Sequence, residues 1–350
     1  MSALMVFSLA FAVSLLGVLL IVFNPAVRHV SAIEPTIDRW HTKVTPGLGG
    51  VAMFVAFSCA LWIVSSELDA SVVSIFAGAS LLFFVGFLDD VRQCSPAIKL
   101  FAQCLAASLV VLIGQWPQLG SLFGAEHHWL TLIVNMVWIV AIANGINLLD
   151  NMDGLAAGVA LTATVSLVVL LQDASGTHDS LRITLIGLSG ALAGFLLLNI
   201  NPARIFMGDS GSLWIGLVLG ASSVTLTTSD SVSSVAFPWV LLIPVLVLAV
   251  PVLDTSFVIV TRKLRGQPVS QGGRDHLSHR LVRLGCSERV SVAILWLLSV
   301  IGAVVAYAVM HAEAHVWLSL LVVYAVSLLT IVALVSRVTI TQDSVKGSQR

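Results

Sequence analysis

Charge is scarce in this chain of 350 residues. Asp, Glu, Lys and Arg make up only 10% of it, 58% of the residues are hydrophobic, and the mean hydropathy is +1.01. A soluble domain carries about 25% charged residues, so a water-soluble fold could not bury this much apolar surface. The net charge of −1 gives no sign of a nucleic-acid partner, and none is expected. The composition therefore predicts a protein whose solvent is a lipid bilayer.

Cysteine is also rare, and the amino end carries no early positive charge. The four cysteines form neither a metal-ligand pair nor an extracellular disulfide framework, so we expect them to pack. The chain is apolar from Met1 to Phe23 and its first basic residue is Arg28. A cleavable signal peptide has its positive charge before the apolar stretch. We therefore expect a retained first helix with its amino end outside.

Long apolar runs dominate the rest of the chain, and a spanning helix needs about 20 residues. Irregular backbone is not tolerated in lipid, so each run should be helical. The ninth contains Pro238, Pro244 and Pro251, which predict a kinked or broken helix beside a cavity. We predict an all-α, polytopic transmembrane helical bundle of about 11 spans, one domain over residues 1–340 with a short tail at 341–350. The runs lie approximately at 3–27, 48–66, 71–88, 97–116, 129–146, 156–172, 182–200, 211–228, 236–261, 290–311 and 316–336.

Basic residues predict the orientation of these spans. Cytoplasmic connections carry an excess of Lys and Arg. Of the 17 Lys and Arg residues, all except Arg182 fall in alternate connections or in the carboxyl-terminal tail. We assign that side as inside, which leaves the amino terminus outside and the carboxyl terminus cytoplasmic. Dense polar clusters also lie in the inside connections, and ionisable groups at membrane depth are functional candidates because they are costly there.

The first of these clusters is a pair of adjacent acids, Asp89 and Asp90, at the end of the third apolar run. Neighbouring carboxylates repel one another and lose hydration unless a cation offsets them. Mg²⁺ prefers oxygen ligands and could supply that charge. A solvated helix end is the alternative, and the pair alone does not decide between them.

The second cluster follows the fifth run. Asn144, Asn147, Asp150 and Asp153 recur every three residues, so on a helix they would drift only gradually around one side. The segment contains no Lys or Arg to neutralise its two acids, and Gly154 would allow a sharp turn or close approach of a ligand. These features favour a ligand site over a purely structural polar face.

The third cluster places Gly208 and Gly211 on either side of Asp209, directly before an apolar run. Asp209 or Ser210 could simply cap the amino end of a helix. The other interpretation adds a metal ligand next to free N–H groups that suit phosphate oxygens.

The longest inside connection supplies the opposite charge. Residues 271–280 combine His276 and His279 with Arg274 and Arg280 around a glycine pair, a set that suits an anionic phosphate. The positive-inside tendency explains some of the arginines but not the histidines. Zinc is not expected, since no cysteine pair or third clustered histidine accompanies them.

One acid, Asp254, lies within the ninth run, and Arg262 follows about two helical turns later. Asp254 could pair with a basic group for structure alone, or it could line an active cavity. Acids and basic groups therefore occupy separate inside clusters. Phosphoryl chemistry needs that division, because carboxylates hold Mg²⁺ and basic groups absorb developing charge.

In these motifs the chain resembles the polyprenyl-phosphate N-acetylhexosamine-1-phosphate transferases, and it looks most similar to the bacterial undecaprenyl-phosphate GlcNAc-1-phosphate transferases. The resemblance runs from His41 and residues 46–50 to His279, and all five inside clusters follow the family's order. It implies a multi-pass enzyme of the bacterial inner membrane, with its active site on the cytoplasmic face. The implied reaction transfers HexNAc-1-phosphate, with GlcNAc-1-phosphate expected, from a UDP-sugar to polyprenyl phosphate and releases UMP.

The resemblance also implies residue roles. Asp89, Asp90 and Asp209 are catalytic, with Asp89 as the base or orienting group for the lipid phosphate. Mg²⁺, which Mn²⁺ could replace, is held by Asp209, Asn147 and Asp90. Lys99 contacts phosphate, Asp153 faces uracil, and Phe206 packs near the base. Substrate-binding roles are implied for Lys99, Asn144, Asp150, Asp153, Phe206, His276, His279 and Arg280.

Three positions depart from the family pattern. Asn151 stands where glycine is usual, with little consequence expected because Asn tolerates left-handed backbone. Ser278 replaces a histidine, which weakens the case for the alternative enzyme, a phospho-MurNAc-pentapeptide translocase. Asp38 stands where Arg is frequent, which puts a phosphate role of that loop in doubt.

A secondary transporter is the alternative from another class. Transporters place polar groups near the midplane and show related halves, whereas the polar clusters here crowd one face. The expected partners are UDP-N-acetylhexosamine and polyprenyl phosphate in the membrane, and a homodimer is allowed.

Overall fold

The computed structural model describes residues 2–25, 32–33, 45–64, 68–114, 128–172, 178–227, 235, 239–268 and 273–338. Within these ranges, two short antiparallel strands, β1 (Ala32–Ile33) and β2 (Thr45–Pro46), pair Ala32 with Pro46. A 3₁₀ turn covers Trp239–Leu241. The α-helices are α1 (Ala3–Phe23), α2 (Gly49–Ile63), α3 (Ala70–Arg92), α4 (Pro96–Ile113), α5 (His128–Leu149), α6 (Leu155–Leu170), α7 (Asp179–Asn199), α8 (Asp209–Thr225), α9 (Leu242–Val247), α10 (Ala249–Leu264), α11 (Leu277–Arg283), α12 (Glu288–His311) and α13 (Ala314–Ser336).

Helix α8 lies at the centre of the bundle. Every residue from Ser210 to Thr225 is buried, and the helix packs against α2, α3, α5 and α6. Because all of these residues are buried, α8 is enclosed by protein along its whole length rather than by lipid. Its amino end, at Asp209, is therefore surrounded by the ends of neighbouring helices.

Helix α13 shows the opposite environment. Of its 23 residues, only Trp317, Tyr324 and Val335 are buried, and it packs mainly on α12. Its exposed surface is almost wholly apolar, which suits contact with lipid rather than water. The fold thus combines a fully enclosed central helix with peripheral helices that face the bilayer.

The ninth apolar run is broken, as its prolines predict. The axes of the two parts, Trp239–Val247 and Ala249–Leu264, differ by 87°. Pro251 has no N–H to donate to the carbonyl four residues earlier, and its ring crowds that carbonyl. The break at Leu248 lies less than one turn before Pro251 and one turn after Pro244. Pro238 lies outside the described residues.

The all-α, multi-pass prediction is confirmed. Each of the eleven predicted runs coincides with a helix or with the bent pair α9–α10. Among the described residues, seven helices are long and apolar enough to cross a membrane, and the bent pair would be an eighth. The span count of about 11 and the orientation stay predictions. Helices α2, α6 and α8, with 15, 16 and 17 residues, are short for a crossing.

The second polar cluster is less helical than its spacing suggested. Helix α5 ends at Leu149, and turns follow before α6 begins at Leu155. Asn144 and Asn147 therefore share a helix, whereas Asp150 and Asp153 lie in the loop after it, so the arrangement that the spacing would give on a helix applies only to the first two. Gly154, with φ of +74°, marks the turn into α6.

Candidate active site

Four helices bring a carboxylate cluster together at one end of the bundle. Nζ of Lys99 lies 3.1 Å from Oδ2 of Asp89 and 3.0 Å from Oδ2 of Asp209. On the other side, Nδ2 of Asn147 donates to Oδ1 of Asp209 at 2.9 Å. These residues come from the ends of α3, α4, α5 and α8, so side chains that are far apart in the sequence meet at one place. We call Asp89, Lys99, Asn147 and Asp209 the carboxylate cluster.

Asp90 faces the same helix end but contacts its backbone. Its Oδ1 accepts the N–H of Asp209 at 2.9 Å, and its Oδ2 accepts the N–H of Ser210 at 3.0 Å. A carboxylate at the amino end of a helix satisfies free N–H groups and complements the helix dipole. Asp90 therefore caps α8 from α3 and aligns Asp209 beside it. Its role as a metal ligand stays a prediction.

Two glycines permit this close approach of α3 to α8. A Cβ at Gly86 would lie 2.3 Å from the carbonyl oxygen of Asp209. Gly208 has φ of +71°, and a Cβ there would lie 2.6 Å from Oδ2 of Asp90. Only glycine fits such positions without displacing backbone. The packing of the two helices and the alignment of the site thus depend on the same contacts.

Further polar groups hold the cluster in place. The N–H of Cys94 donates to Oδ1 of Asp89 at 2.7 Å. Nδ2 of Asn147 also lies 2.8 Å from Oγ of Ser212. Sequence reasoning assigned no role to Ser212, although its position one turn after Asp209 on a helix could have indicated that the two side chains share a face.

Asn144 lies one turn before Asn147 and is engaged differently. Its side-chain amide exchanges hydrogen bonds with that of Gln103, at 2.6 and 3.3 Å, and Gln103 is almost fully buried. This pair joins α4 to α5 next to the cluster. The sequence did not single out Gln103, because a lone Gln in an apolar run has no recognisable motif. The substrate-binding role of Asn144 stays a prediction.

The loop after α5 places Asp153 beside the amino end of α12. Oδ2 of Asp153 accepts the N–H of Ala203 at 2.9 Å and Nδ2 of Asn201 at 3.2 Å. Asn201 in turn accepts from Nε of Arg289 at 3.0 Å. Asp153, Asn201 and Arg289 line a cavity of about 280 Å³ together with Trp296. Asn201 and Arg289 were not predicted as site residues.

Phe206 lies in the segment that leads to Asp209. Its N–H donates to the carbonyl of Pro46 at 2.8 Å, and its own carbonyl accepts the N–H of Gly49 at 3.0 Å. The 46–50 segment and the third polar cluster are therefore joined directly. The ring of Phe206 is half-buried, and its predicted packing against a base stays a prediction, as do the roles of Asp150 and Asp153.

The fourth group of charges joins α10 to the segment before α11. Oδ2 of Asp254 lies 2.7 Å from Nδ1 of His276, and Oδ1 accepts the N–H of Leu277 at 2.7 Å. Two turns along α10, Arg262 forms a two-point ion pair with Asp275, at 2.6 and 2.7 Å. We call these four charged residues the histidine clamp. Asp254 thus pairs with a basic group, as one of the two interpretations held.

Burial and pairing set the protonation states in this region. Burial alone would lower the pKa of His276, but the charge and hydrogen bond of Asp254 outweigh it and raise that pKa. Burial, reinforced by the charge of His276, lowers the pKa of His279 to about 3. Burial alone would raise the pKa of Asp275, yet the hydrogen bonds and charge of Arg262 hold that pKa below its ordinary value. The pKa values of these two neighbouring histidines are therefore shifted in opposite directions, toward the charged form at His276 and toward the neutral form at His279.

Arg280 is fully buried and holds the far end of α13. Its Nη1 donates to the carbonyls of Val335 and Val338 at 3.1 Å, and its guanidinium lies 4.8 Å from the ring centre of Phe257. Burial, together with the charge of Arg265, lowers its pKa to about 10, so it stays charged at neutral pH. These contacts indicate a structural role. The predicted recognition of a sugar diphosphate by Arg280 stays a prediction.

The donor chemistry of the carboxylate cluster fits Mg²⁺. Asp209 offers carboxylate oxygens and Asn147 an amide, and the ammonium of Lys99 already lies between two acids. Across the described ranges, no group of three or more His, Cys, Asp or Glu is arranged as a metal site. Mg²⁺ does not require one, because it binds through one or two carboxylates, water and substrate phosphates.

Comparison with known proteins gives a consistent result. Residues 72–227 match the family described as glycosyl transferase family 4. A probable undecaprenyl-phosphate N-acetylglucosaminyl 1-phosphate transferase of Bacillus subtilis is 33% identical over 327 residues, 90% of this chain and 87% of that protein. A decaprenyl-phosphate N-acetylglucosaminephosphotransferase of Mycolicibacterium smegmatis is 31% identical over 78% of this chain and 73% of its own length. A phospho-N-acetylmuramoyl-pentapeptide-transferase of Thermotoga neapolitana is 31% identical over 75% of this chain and 83% of its own length.

Proposed function

The chain belongs to glycosyl transferase family 4, and from that membership we propose that it transfers HexNAc-1-phosphate from a UDP-sugar to a polyprenyl phosphate. The resemblance read from the sequence is thereby confirmed at the level of the family, and the protein is a multi-pass membrane transferase. GlcNAc-1-phosphate is the proposed group, since two of the relatives are named for N-acetylglucosamine. The observation that carries the proposal is the convergence of Asp89, Lys99, Asn147 and Asp209 from four helices.

The proposed chemistry is a single displacement at the β-phosphorus of the UDP-sugar. An oxygen of the polyprenyl phosphate forms a new bond to that phosphorus, the bond between the α- and β-phosphates breaks, and UMP leaves. A phosphate monoester is already largely ionised at neutral pH, so Asp89 would orient the nucleophile more than deprotonate it. The product is a polyprenyl-diphospho-HexNAc.

Lys99 has the position that such a reaction needs. Its ammonium is shared between Asp89 and Asp209, and the three side chains are only about a quarter exposed or less. Because this ammonium is partly exposed, it can exchange a carboxylate partner for a phosphate oxygen without leaving the cluster. Asp89 and Lys99 would then hold the acceptor phosphate, and Asp209 would lie on the donor side.

Asp209 and Asn147 would hold Mg²⁺, with Asp90 fixing the helix end behind them. When bound, the ion would neutralise charge on the diphosphate and so favour attack. On the nucleotide side, Asp153 keeps one carboxylate oxygen on Asn201 and the N–H of Ala203. The other oxygen is bonded to no residue that the structure describes and would accept a hydrogen bond from uracil.

The test is UMP release by purified protein supplied with polyprenyl phosphate and a panel of UDP-sugars. The panel contains UDP-GlcNAc, UDP-GalNAc and UDP-MurNAc-pentapeptide. We expect turnover with UDP-GlcNAc that requires Mg²⁺ or Mn²⁺ and stops with a chelator. Turnover with UDP-MurNAc-pentapeptide alone would replace the proposal with the translocase activity, and no release with any donor would reject transfer itself.

We also propose that the site faces the cytoplasm. The positive-inside pattern supports this orientation, because only Arg182 lies on the other side. Cysteines introduced at Ser270 and Ser344 should label from the cytoplasmic side, and one at Thr177 should label only from outside. All three positions lie outside the described residues. Reversed labelling would place the carboxylate cluster on the opposite face of the membrane.

A further inference from the structure

A buried carboxylate holds two consecutive residues of the segment that precedes α11. Asp254 is only 1% exposed and lies on α10, just past the break in the ninth run. One of its oxygens binds Nδ1 of His276 and the other accepts the N–H of Leu277. The imidazole is therefore attached through one defined nitrogen, and its ring orientation follows from a helix rather than from a free loop.

A second contact fixes the same segment. Asp275, next to His276, is bonded through both oxygens to Arg262, which is only 4% exposed. Two-point pairs between Arg and carboxylate are geometrically specific. With Asp254 and Arg262 two turns apart on α10, the segment from Asp275 to Leu277 is held at two places on one helix. His276 has little freedom to rotate away.

The clamp is joined to the carboxylate cluster through the loop after α5. Oγ of Ser278 donates to Oδ1 of Asn151 at 2.7 Å. Asn151 follows Asn147 by one turn's length of chain, and Asn147 contacts Asp209. The segment that carries His276 is thus joined, through Ser278, to the loop that begins next to Asn147.

We propose that Asp254 is a positioning residue that holds His276 through Nδ1 and so leaves Nε2–H as the donor to a phosphate oxygen of the sugar nucleotide. This inference rests on the proposed function for the identity of the phosphate. The second ring nitrogen of a histidine is set by the partner of the first, and a charged donor gives a stronger hydrogen bond to phosphate than a neutral one.

The charges around His276 favour its protonated form. Asp254 and Arg262 face it from α10, Asp275 precedes it, and His279 lies on α11 with ring centres 6.0 Å apart. Arg274 influences the neighbouring His279. Asp254 and Asp275 raise the pKa of His276, whereas Arg262 and burial lower it, and the net direction is upward from 6.5.

If Asp254 served only to accept the N–H of Leu277, its negative charge would not be needed. A neutral amide at position 254 could still accept the N–H of Leu277, because Asn and Asp are comparable caps. Asp254→Asn therefore keeps the cap and removes the negative charge that faces His276. Asp69→Asn is the matched control, since Asp69 caps α3 by accepting the N–H of Val72 at 2.9 Å and pairs with no histidine in the described structure.

The first measurement follows histidine protonation directly. NMR of protein with ¹³C-labelled histidine, without substrate, identifies His276 by the signal that is lost in His276→Gln. In wild type we expect His276 to titrate above 6.5. In Asp254→Asn we expect its midpoint to fall by at least about one pH unit, while Asp69→Asn leaves it unchanged. An ordinary midpoint in wild type, or no shift in Asp254→Asn, overturns the inference.

The second measurement uses the pH dependence of kcat/KM for the UDP-sugar. Because the charged form is the donor, kcat/KM should fall as pH rises through the raised pKa of His276. Asp254→Asn should move this alkaline limb to lower pH and, at pH values above both midpoints, cost about tenfold through a higher KM, and His276→Gln should abolish the limb. If the alkaline limb does not move, the inference is overturned. If Asp254→Asn does not fold, the pH profile of His276→Gln decides the matter.

Absence of UMP release in wild type would reject the proposed function, whereas the substrate-free titration still tests the clamp.

Discussion

Two groups of ionic contacts lie at the same end of the bundle, and they differ in their access to water. In the carboxylate cluster, the side chains of Lys99, Asp89 and Asp209 are 26%, 14% and 24% exposed. In the histidine clamp, Asp254 and Arg262 are 1% and 4% exposed. Both groups pair acids with bases at about 3 Å, so they differ in burial rather than in the distance between partners.

Burial decides what each group can do. A partly exposed cation shared between two acids can change partners when a charged ligand arrives, since water and ligand compete for it. A buried, two-point pair cannot, because an unpaired charge would remain in a medium of low dielectric. We infer that the carboxylate cluster exchanges ligands and that the histidine clamp supplies a rigid frame.

The largest expected effect is loss of charge in the carboxylate cluster. Asp209→Asn should lower the rate of UMP release by at least ~100-fold, because several kcal/mol of charge stabilisation would be lost. Asp179→Asn, at an exposed acid on the other side of the bundle, is the control and should retain wild-type activity. A near-wild-type rate for Asp209→Asn would remove this residue from the metal site.

A second pair of variants, at Asp89 and Asp153, separates the chemical step from binding of the nucleotide. Asp89→Asn should bind the UDP-sugar normally yet turn over at least ~100-fold more slowly, since orientation of the acceptor phosphate matters mainly in the transition state. Asp153→Ala should raise KM with kcat nearly unchanged, because it removes uniform binding. Steady-state kinetics and calorimetric binding measure both, and the reverse pattern would show that the two roles are exchanged.

An intermediate effect is expected from the buried frame. Arg280→Ala removes hydrogen bonds from a charged donor to the carbonyls of Val335, at the end of α13, and of Val338 and Asp275, so the free energy of unfolding should fall by about 2 kcal/mol. Thermal unfolding in detergent measures it, with the exposed Arg283→Ala on the same helix as control. If stability is unchanged and only KM for the UDP-sugar rises, Arg280 binds substrate as the family resemblance implied.

The smallest effect tests whether exposure alone makes an ion pair functional. Arg182 and Asp179 form an exposed pair one turn apart on α7, at 2.9 Å. Arg182→Ala should change neither UMP release nor the unfolding temperature measurably, because exposed pairs contribute little. A marked loss of activity would show that the opposite end of the bundle also contributes to transfer.

The sequence was most informative where local chemistry and periodicity agree. The apolar runs located the helices, and Pro244 and Pro251 indicated the break because proline disrupts helical bonding wherever it lies. The inside clusters could be grouped on one face because spans alternate in direction. The loop after α5 was predicted less well, since three-residue spacing looks the same whether the chain continues as a helix or turns at Asp150.

Contacts between distant residues were beyond reach. His276 is 22 residues from Asp254, and Asn151 is 127 residues from Ser278. Local spacing carries no information about such pairs, and neither partner has a motif that requires the other. The capping of α8 by Asp90 could not be predicted for the same reason. Asp90 lies more than one hundred residues before the start of α8, and neither segment contains a pattern that requires the other.

The amino-acid sequence by itself determined that this chain is a helical membrane protein. Its acids lie in some polar connections, and the basic side chains that suit a phosphate lie in others. Composition requires a bilayer, and each residue's chemistry is a local property. Only the tertiary structure decided which acid meets which base and how much water reaches them. The 87° break turns α10 toward the segment before α11, and Gly86 lets α3 approach α8. Burial and pairing depend on such packing, so the same residue type is partly exposed beside Lys99 at Asp209 and buried against a histidine at Asp254.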